Sequence, residues 1–95
     1  MGLLNAASFG NVVAAVEQER IFQDSKFGAL FEGGEHTCGE WVLLIEDELR
    51  EAKQALIKGG TGRNSLRSEV VQMAALCFAM LEQHGTVDPH DKRQV

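Results

Sequence analysis

Little in this sequence would cross-link the chain or draw it to a polyanion. The two cysteines, Cys38 and Cys77, stand far apart with no Cys-x-x-Cys and no His/Cys cluster. Neither a disulfide framework nor a zinc site is therefore indicated. Both thiols are expected to be buried and reduced, as small free cysteines in apolar company usually are. Basic residues are scarce, nine Lys and Arg against fourteen Asp and Glu, for a net charge of −5. That balance argues against general nucleic-acid binding, which requires basic patches to neutralise phosphates, and suits a protein that collects divalent cations. No apolar run approaches the roughly 20 residues of a membrane span. The opening "MGLLNAAS" has neither the basic region nor the apolar core of a signal peptide. The expectation is a soluble, cytoplasmic protein with no membrane partner.

Chemistry is missing in places too. His36, His84 and His90 have no partner at metal-ligand spacing, and no Ser-His-Asp or Cys-His nucleophile arrangement can be assembled. The glycine-rich "GGTGRNS" lacks the Gly-x-x-x-x-Gly-Lys-Ser/Thr order of a phosphate loop, and no strand precedes it. The only proline, Pro89, lies in the polar tail "TVDPHDKRQV". There are no repeats or low-complexity tracts.

What remains is ordinary globular material, 44% hydrophobic and 24% charged over 95 residues, which argues for order. A chain this short buries only about 60–65% of the surface its unfolded form exposes, so stability gained by self-association is expected. Three helices can be read and no strand. The first runs from Phe9 to Gln23, followed by a loop, "DSKFGALFEGGEH", holding Phe27, Leu30 and Phe31 for docking. Thr37 and Glu40 fit a capping box opening a second helix from Cys38 to Lys58, stopped by Gly59-Gly60. A turn capped by Asn64 or Ser65 leads to the third helix, Ser65 to His84, ended by Gly85. The expected fold is all-α: an antiparallel bundle of three main helices plus short segments, residues 1–85, completed by oligomerisation, with residues 86–95 as a surface tail.

Helical geometry then decides where the acids of "IEDELREA" point. With Trp41 as the origin and ~100° per residue, Leu44, Ile45, Leu49, Ala52, Ala55 and Leu56 form one apolar stripe. Glu48 lies within it, about 20° from Trp41, and Glu51 flanks it at about 80°. Asp47 sits further round, while Glu46 and Arg50 face away. On the third helix "VVQMAALCFAML" is apolar all round except at Gln72, as in a helix buried on most sides. Glu69 opens that run and shares a face with Gln72 at i+3, continued by Met73, Leu76 and Met80. On the first helix Val12, Ala15, Val16 and Phe22 share a side with Glu19, though a competing stripe through Val13 exists.

An unpaired buried carboxylate costs several kcal/mol, so it protonates, pairs or takes a cation. Arg20, Arg63 and Arg67 are the available partners, and all stand near helix ends. Two outcomes stay open: a hydrogen-bonded core network of Glu48 with an arginine or Gln72, or an oxygen cage suited to Mg²⁺ or Mn²⁺.

These acids carry a resemblance. Asp47-Glu48-Leu49-Arg50-Glu51, then Glu69-Val70-Val71-Gln72, resembles the Glu-Glu-x-x-Glu and Glu-x-x-Asp halves of the MazG-like, all-α nucleoside triphosphate pyrophosphohydrolases. "VEQERIFQDSKFG" and "HTCGEW" also look like the N-terminal part of short members, so the resemblance covers most of residues 12–84. It implies Mg²⁺-dependent cleavage of (deoxy)nucleoside triphosphates to monophosphate and pyrophosphate, in a housecleaning role, by a homo-oligomer (dimer or tetramer) whose subunits complete one another's sites. It implies Glu48, Glu51, Glu69 and Gln72 as the metal set, with Asp47 as a supporting, water-orienting acid. Lys26, Lys53 and Arg67 are the candidate phosphate contacts, and Trp41 or Phe27 the candidate base-stacking ring. Two departures stand out, Asp47 for the first Glu and Gln72 for the final Asp. An amide oxygen can ligate Mg²⁺ but brings no charge, so a catalytically silent helical assembly or binding protein is the alternative expectation.

Overall fold

A computed structural model of the protein describes residues 5–27 and 34–91. They form three helices, α1 (Ala6–Phe27), α2 (Cys38–Lys58) and α3 (Leu66–His84), with a 3-10 turn at Gly62–Asn64 before α3. No strand occurs among the described residues, and no described helix is long and apolar enough to cross a membrane.

The helix limits follow local chemistry. At the start of α1, Asn5 Oδ1 accepts from the Ser8 amide at 3.0 Å and the Asn5 carbonyl accepts from Phe9 at 2.8 Å. The helix thus begins before the expected Phe9. It also outlasts the expected end at Gln23, because Arg20 pairs with Asp24 at i+4 and the Ser25 hydroxyl donates to the Phe22 carbonyl. The docking residues Leu30 and Phe31, and the Phe27 side chain, lie outside the described residues. α2 starts on the expected capping box, the Thr37 amide donating to Glu40 Oε1 at 2.8 Å and the Glu40 amide to Thr37 Oγ1 at 3.1 Å. It ends at Gly59, whose φ of 73° is left-handed.

Of the two candidate caps for α3, Ser65 is the one used, its hydroxyl accepting from the Ser68 amide. The intervening 3-10 turn has no local sequence signal. It packs so closely that a Cβ on Gly60 would stand 2.0 Å from the Asn64 carbonyl oxygen. From Gly85 to Asp91 the chain is irregular, with a turn at Pro89 and His90.

α2 and α3 run antiparallel. Trp41, at the start of α2, packs against Leu76, Ala79 and Met80 near the end of α3, while Glu51 further along α2 meets Glu69 in the first turn of α3. α1 crosses α3, since its neighbours Glu19 and Arg20 reach Arg63 before α3 and Glu82 in its last turn. Among the described residues the buried apolar core is small: Val16, Trp41, Ala52, Ala55, Ala75 and Ala79.

Burial falls short of the sequence pattern. Leu44, Leu49 and Leu56 of the α2 stripe are exposed, because α3 covers only the Trp41–Ala52–Ala55 line. α3 is not enclosed on most sides either; Val70, Phe78 and Leu81 stay exposed. On α1 only Val16 and Glu19 of the expected side are buried. Cys38 is likewise exposed, at the first residue of α2, and only Cys77 is partly covered. The molecule is flat, 42 × 38 × 22 Å, and its radius of gyration of 14.8 Å exceeds the ~12 Å of a compact chain this long.

An acidic cleft between the helices

Where α1 crosses the α2–α3 pair it leaves a cleft of about 650 Å³, within the ~300–1,000 Å³ range of small-molecule sites. Leu44, Leu76, Ala79 and Trp41 form its apolar wall, and Glu48, Glu51 and Glu69 its acidic end. Helical spacing explains the acids: Glu48 and Glu51 are i, i+3 on the inner side of α2, and Glu69 lies in the first turn of α3, where the helix dipole favours an acid. The antiparallel pairing brings them together, one carboxylate oxygen of each lying within 4.8 Å of the others.

Glu48 is the most strained of the three electrostatically. Its Oε2 is buried with no hydrogen-bond partner. Burial first, then the charges of Glu51 and Glu69 and a hydrogen bond with Glu51, push its carboxyl up to about 7, with Arg63 pulling the other way. Glu69 is raised as well, by burial and by Glu51, against the pull of Arg63 and Gln72. Among the described residues no arginine pairs with any of the three.

The arginines are engaged elsewhere. Arg20 bridges Asp24 and Glu82 at 2.9 and 2.6 Å. Arg63 makes a two-pronged pair with Glu19, Nη1 to Oε1 at 3.0 Å and Nη2 to Oε2 at 2.7 Å, and its guanidinium lies 4.3 Å from the Phe22 ring centre. Gln72 donates its amide to the Arg63 carbonyl at 2.9 Å and to Ser68 Oγ at 3.2 Å. Gln23 ties α1 to this group, donating to Glu19 Oε2 and to the Gln72 carbonyl, both at 3.3 Å.

Of the residues singled out from sequence, the fold brings Glu48, Glu51 and Glu69 together and sets Gln72 beside them, its amide nitrogen committed to the approach to α3. Asp47 lines the rim, exposed and paired with Arg50 at 2.5 Å. Lys26 also lines the cleft, whereas Lys53 and Arg67 do not. Trp41 is a wall and not an open stacking platform: it is buried, its Nε1 donates to Gln83 Oε1 at 2.6 Å, and its ring meets His36 edge-on at 4.8 Å. His84 bonds the His36 carbonyl at 2.8 Å, which fixes the chain entering α2.

The Glu19–Arg63 pair was not legible as part of the site. Glu19 had the right helical face, but Arg63 sits in a short glycine-flanked connector whose course no periodicity describes. Compared with protein-family models, with curated proteins and with solved structures, the chain matches none.

Proposed function

We propose that this protein is a Mg²⁺-dependent nucleoside triphosphate pyrophosphohydrolase of the MazG-like kind, acting on (deoxy)nucleoside triphosphates in a housecleaning role and working as a homo-oligomer. One observation carries the reading: three carboxylates converge from two helices, and one of their oxygens, Glu48 Oε2, is buried with no partner. A hard divalent cation is the partner such a set suits, and all-oxygen donors favour Mg²⁺ or Mn²⁺ over zinc. Charge balance adds support. Six acids (Glu19, Asp24, Asp47, Glu48, Glu51, Glu69) and three cations (Arg20, Lys26, Arg63) line the cleft, so a triphosphate meets repulsion unless divalent cations accompany it.

When bound, Mg²⁺ neutralises phosphate charge and activates water for attack on phosphorus. The chain's own residues hold and orient. Glu48, Glu51 and Glu69 would hold the cation, and the exposed carboxylate of Asp47 at the rim would accept a hydrogen bond from an attacking water. Ala79, buried, and Leu76, partly buried, give one wall apolar surface, which strengthens the charge interactions beside it. Water attacks the α-phosphorus, the α–β bridging P–O bond breaks, and pyrophosphate leaves. Self-association is supported by the large apolar residues left exposed on all three helices, among them Ile57 at 82% and Leu56 at 67%, surface that a second copy could cover.

The test is pyrophosphate release from a panel of canonical and modified deoxynucleoside triphosphates with Mg²⁺. Turnover is expected in the wild type and lost in Glu48→Gln. A second reading, a catalytically silent helical assembly, is favoured by Gln72, whose amide nitrogen braces the backbone before α3 where the family pattern has a metal-binding Asp. No turnover with any nucleotide, and none gained in Gln72→Asp, selects that second reading.

A further inference from the structure

The cleft holds one cation whose placement neither the acidic cage nor the core explains. Arg63 is half exposed, its side chain 48% accessible, while its partner Glu19 is buried at 9%. Glu19 takes two of the guanidinium's five N–H groups, and no acceptor among the described residues takes the other three. The ring of Phe22 lies under the guanidinium and Gln72 holds the Arg63 carbonyl, so plane and backbone are both fixed. Such a fork, orientated in advance with N–H groups to spare on the rim of a cleft, matches the two-pronged recognition of phosphate oxygens. A guanidinium fixed in place also loses less conformational freedom on binding an anion than a free surface arginine.

Resting on the metal-centre reading above, we propose that Arg63 is the anchor for the pyrophosphate portion of the substrate, with Glu19 and Gln72 as its positioning residues. The anion is then gripped from two sides, by the cation held at Glu48, Glu51 and Glu69 and by the free edge of Arg63. Gln72 acquires a role of its own: the position that supplies no fourth carboxylate instead secures the peptide that carries the anion-binding arginine. Of the candidate phosphate contacts Lys26, Lys53 and Arg67, only Lys26 lines the cleft, and Arg63 joins it there.

The experiment is titration calorimetry on the full chain with three probes: Mg²⁺ alone, inorganic pyrophosphate with Mg²⁺, and an α,β-non-hydrolysable deoxynucleoside triphosphate with Mg²⁺. Arg63→Gln is expected to bind both phosphate probes roughly 10–100-fold more weakly, the range of a lost charge-assisted hydrogen-bond pair, and to keep its response to Mg²⁺ alone. Arg63→Lys keeps the charge without the fork, and a loss of roughly 3–10-fold is expected; it serves should the glutamine variant unfold. Glu19→Gln is expected to weaken both phosphate probes several-fold, and to add nothing further in the Arg63→Gln background, which a merely structural glutamate would not obey. Wild-type affinity for either phosphate probe in both Arg63 variants overturns the assignment. If the wild type itself responds to neither Mg²⁺ nor pyrophosphate, the metal-centre reading has failed and this inference falls with it.

Discussion

Glu48 on α2 and Glu69 on α3 hold carboxylate oxygens within 4.8 Å of one another, with Glu51 as the third member of the group. Like charges that close repel, and burial raises the cost. The fold therefore carries an electrostatic debt that protons or a cation must settle, and the first two of the four expectations below follow from it.

Stability of the metal-free protein should fall as pH rises. The Glu48 carboxyl titrates near 7 against an ordinary 4.5, and Glu69 is raised too. A raised carboxyl means the native state keeps a proton the unfolded chain has released. Its stabilising contribution is whole below about 4.5 and is lost as pH climbs through about 7. Melting in chelator is expected to drop from pH 5.5 to pH 8, with a shallower drop in Glu48→Gln. Mg²⁺ competes with that proton, so it should raise the melting temperature more at pH 8 than at pH 5.5. At a hundredfold excess over Kd the gain is about 2.7 kcal/mol; a flat response at pH 8 argues against a cation at this site.

Gln72→Asp should destabilise the metal-free protein and respond more strongly to Mg²⁺. The change removes the amide donor to the Arg63 carbonyl and Ser68 Oγ and sets a fourth acid, at a buried position, beside the cluster of Glu48, Glu51 and Glu69. A loss of roughly 2 kcal/mol or more is expected. Saturating Mg²⁺ should narrow the gap from wild type. Equal destabilisation with and without the metal would mean that position 72 does not face the ion.

Gly60→Ala tests the link between the connector and the anion site. Its Cβ would stand 2.0 Å from the Asn64 carbonyl oxygen, so the backbone beside Arg63 has to shift. About 1–3 kcal/mol of destabilisation is expected, as for other forced overpacking, together with weaker Mg²⁺–pyrophosphate binding. Unchanged melting would show that the connector adjusts freely.

Sedimentation should give a mass that is a multiple of the 10.4 kDa chain. The small buried core and the exposed Leu43, Leu56 and Ile57 leave apolar area for which a second copy is the matching cover. A monomer at micromolar concentration would remove self-association from the functional proposal.

Helix identity and the inward-facing acids were legible from sequence because both are local. Capping boxes, left-handed glycines and the 100° turn act over a few residues, so α2 came out with the limits Cys38–Lys58 and Glu48 on the covered side. α1 was drawn too short because its extension depends on the Arg20–Asp24 and Ser25–Phe22 contacts, which compete with loop-like composition. The cation partners were harder still. Glu19 and Arg63 lie on separate elements, and the sequence offers Arg20, Arg63 and Arg67 alike as partners for the buried acids with nothing to choose between them.

The sequence by itself determined that this chain is helical and that Glu48, Glu51 and Glu69 lie on or beside faces meant for the interior, since side-chain direction on a helix follows from spacing. Only the tertiary structure decided that those acids meet, that Arg63 is held by Glu19 and not by them, and that much of the apolar surface stays uncovered. The physical reason is that pairing across helices depends on how the axes cross and on the course of the connectors, and neither has a period to read.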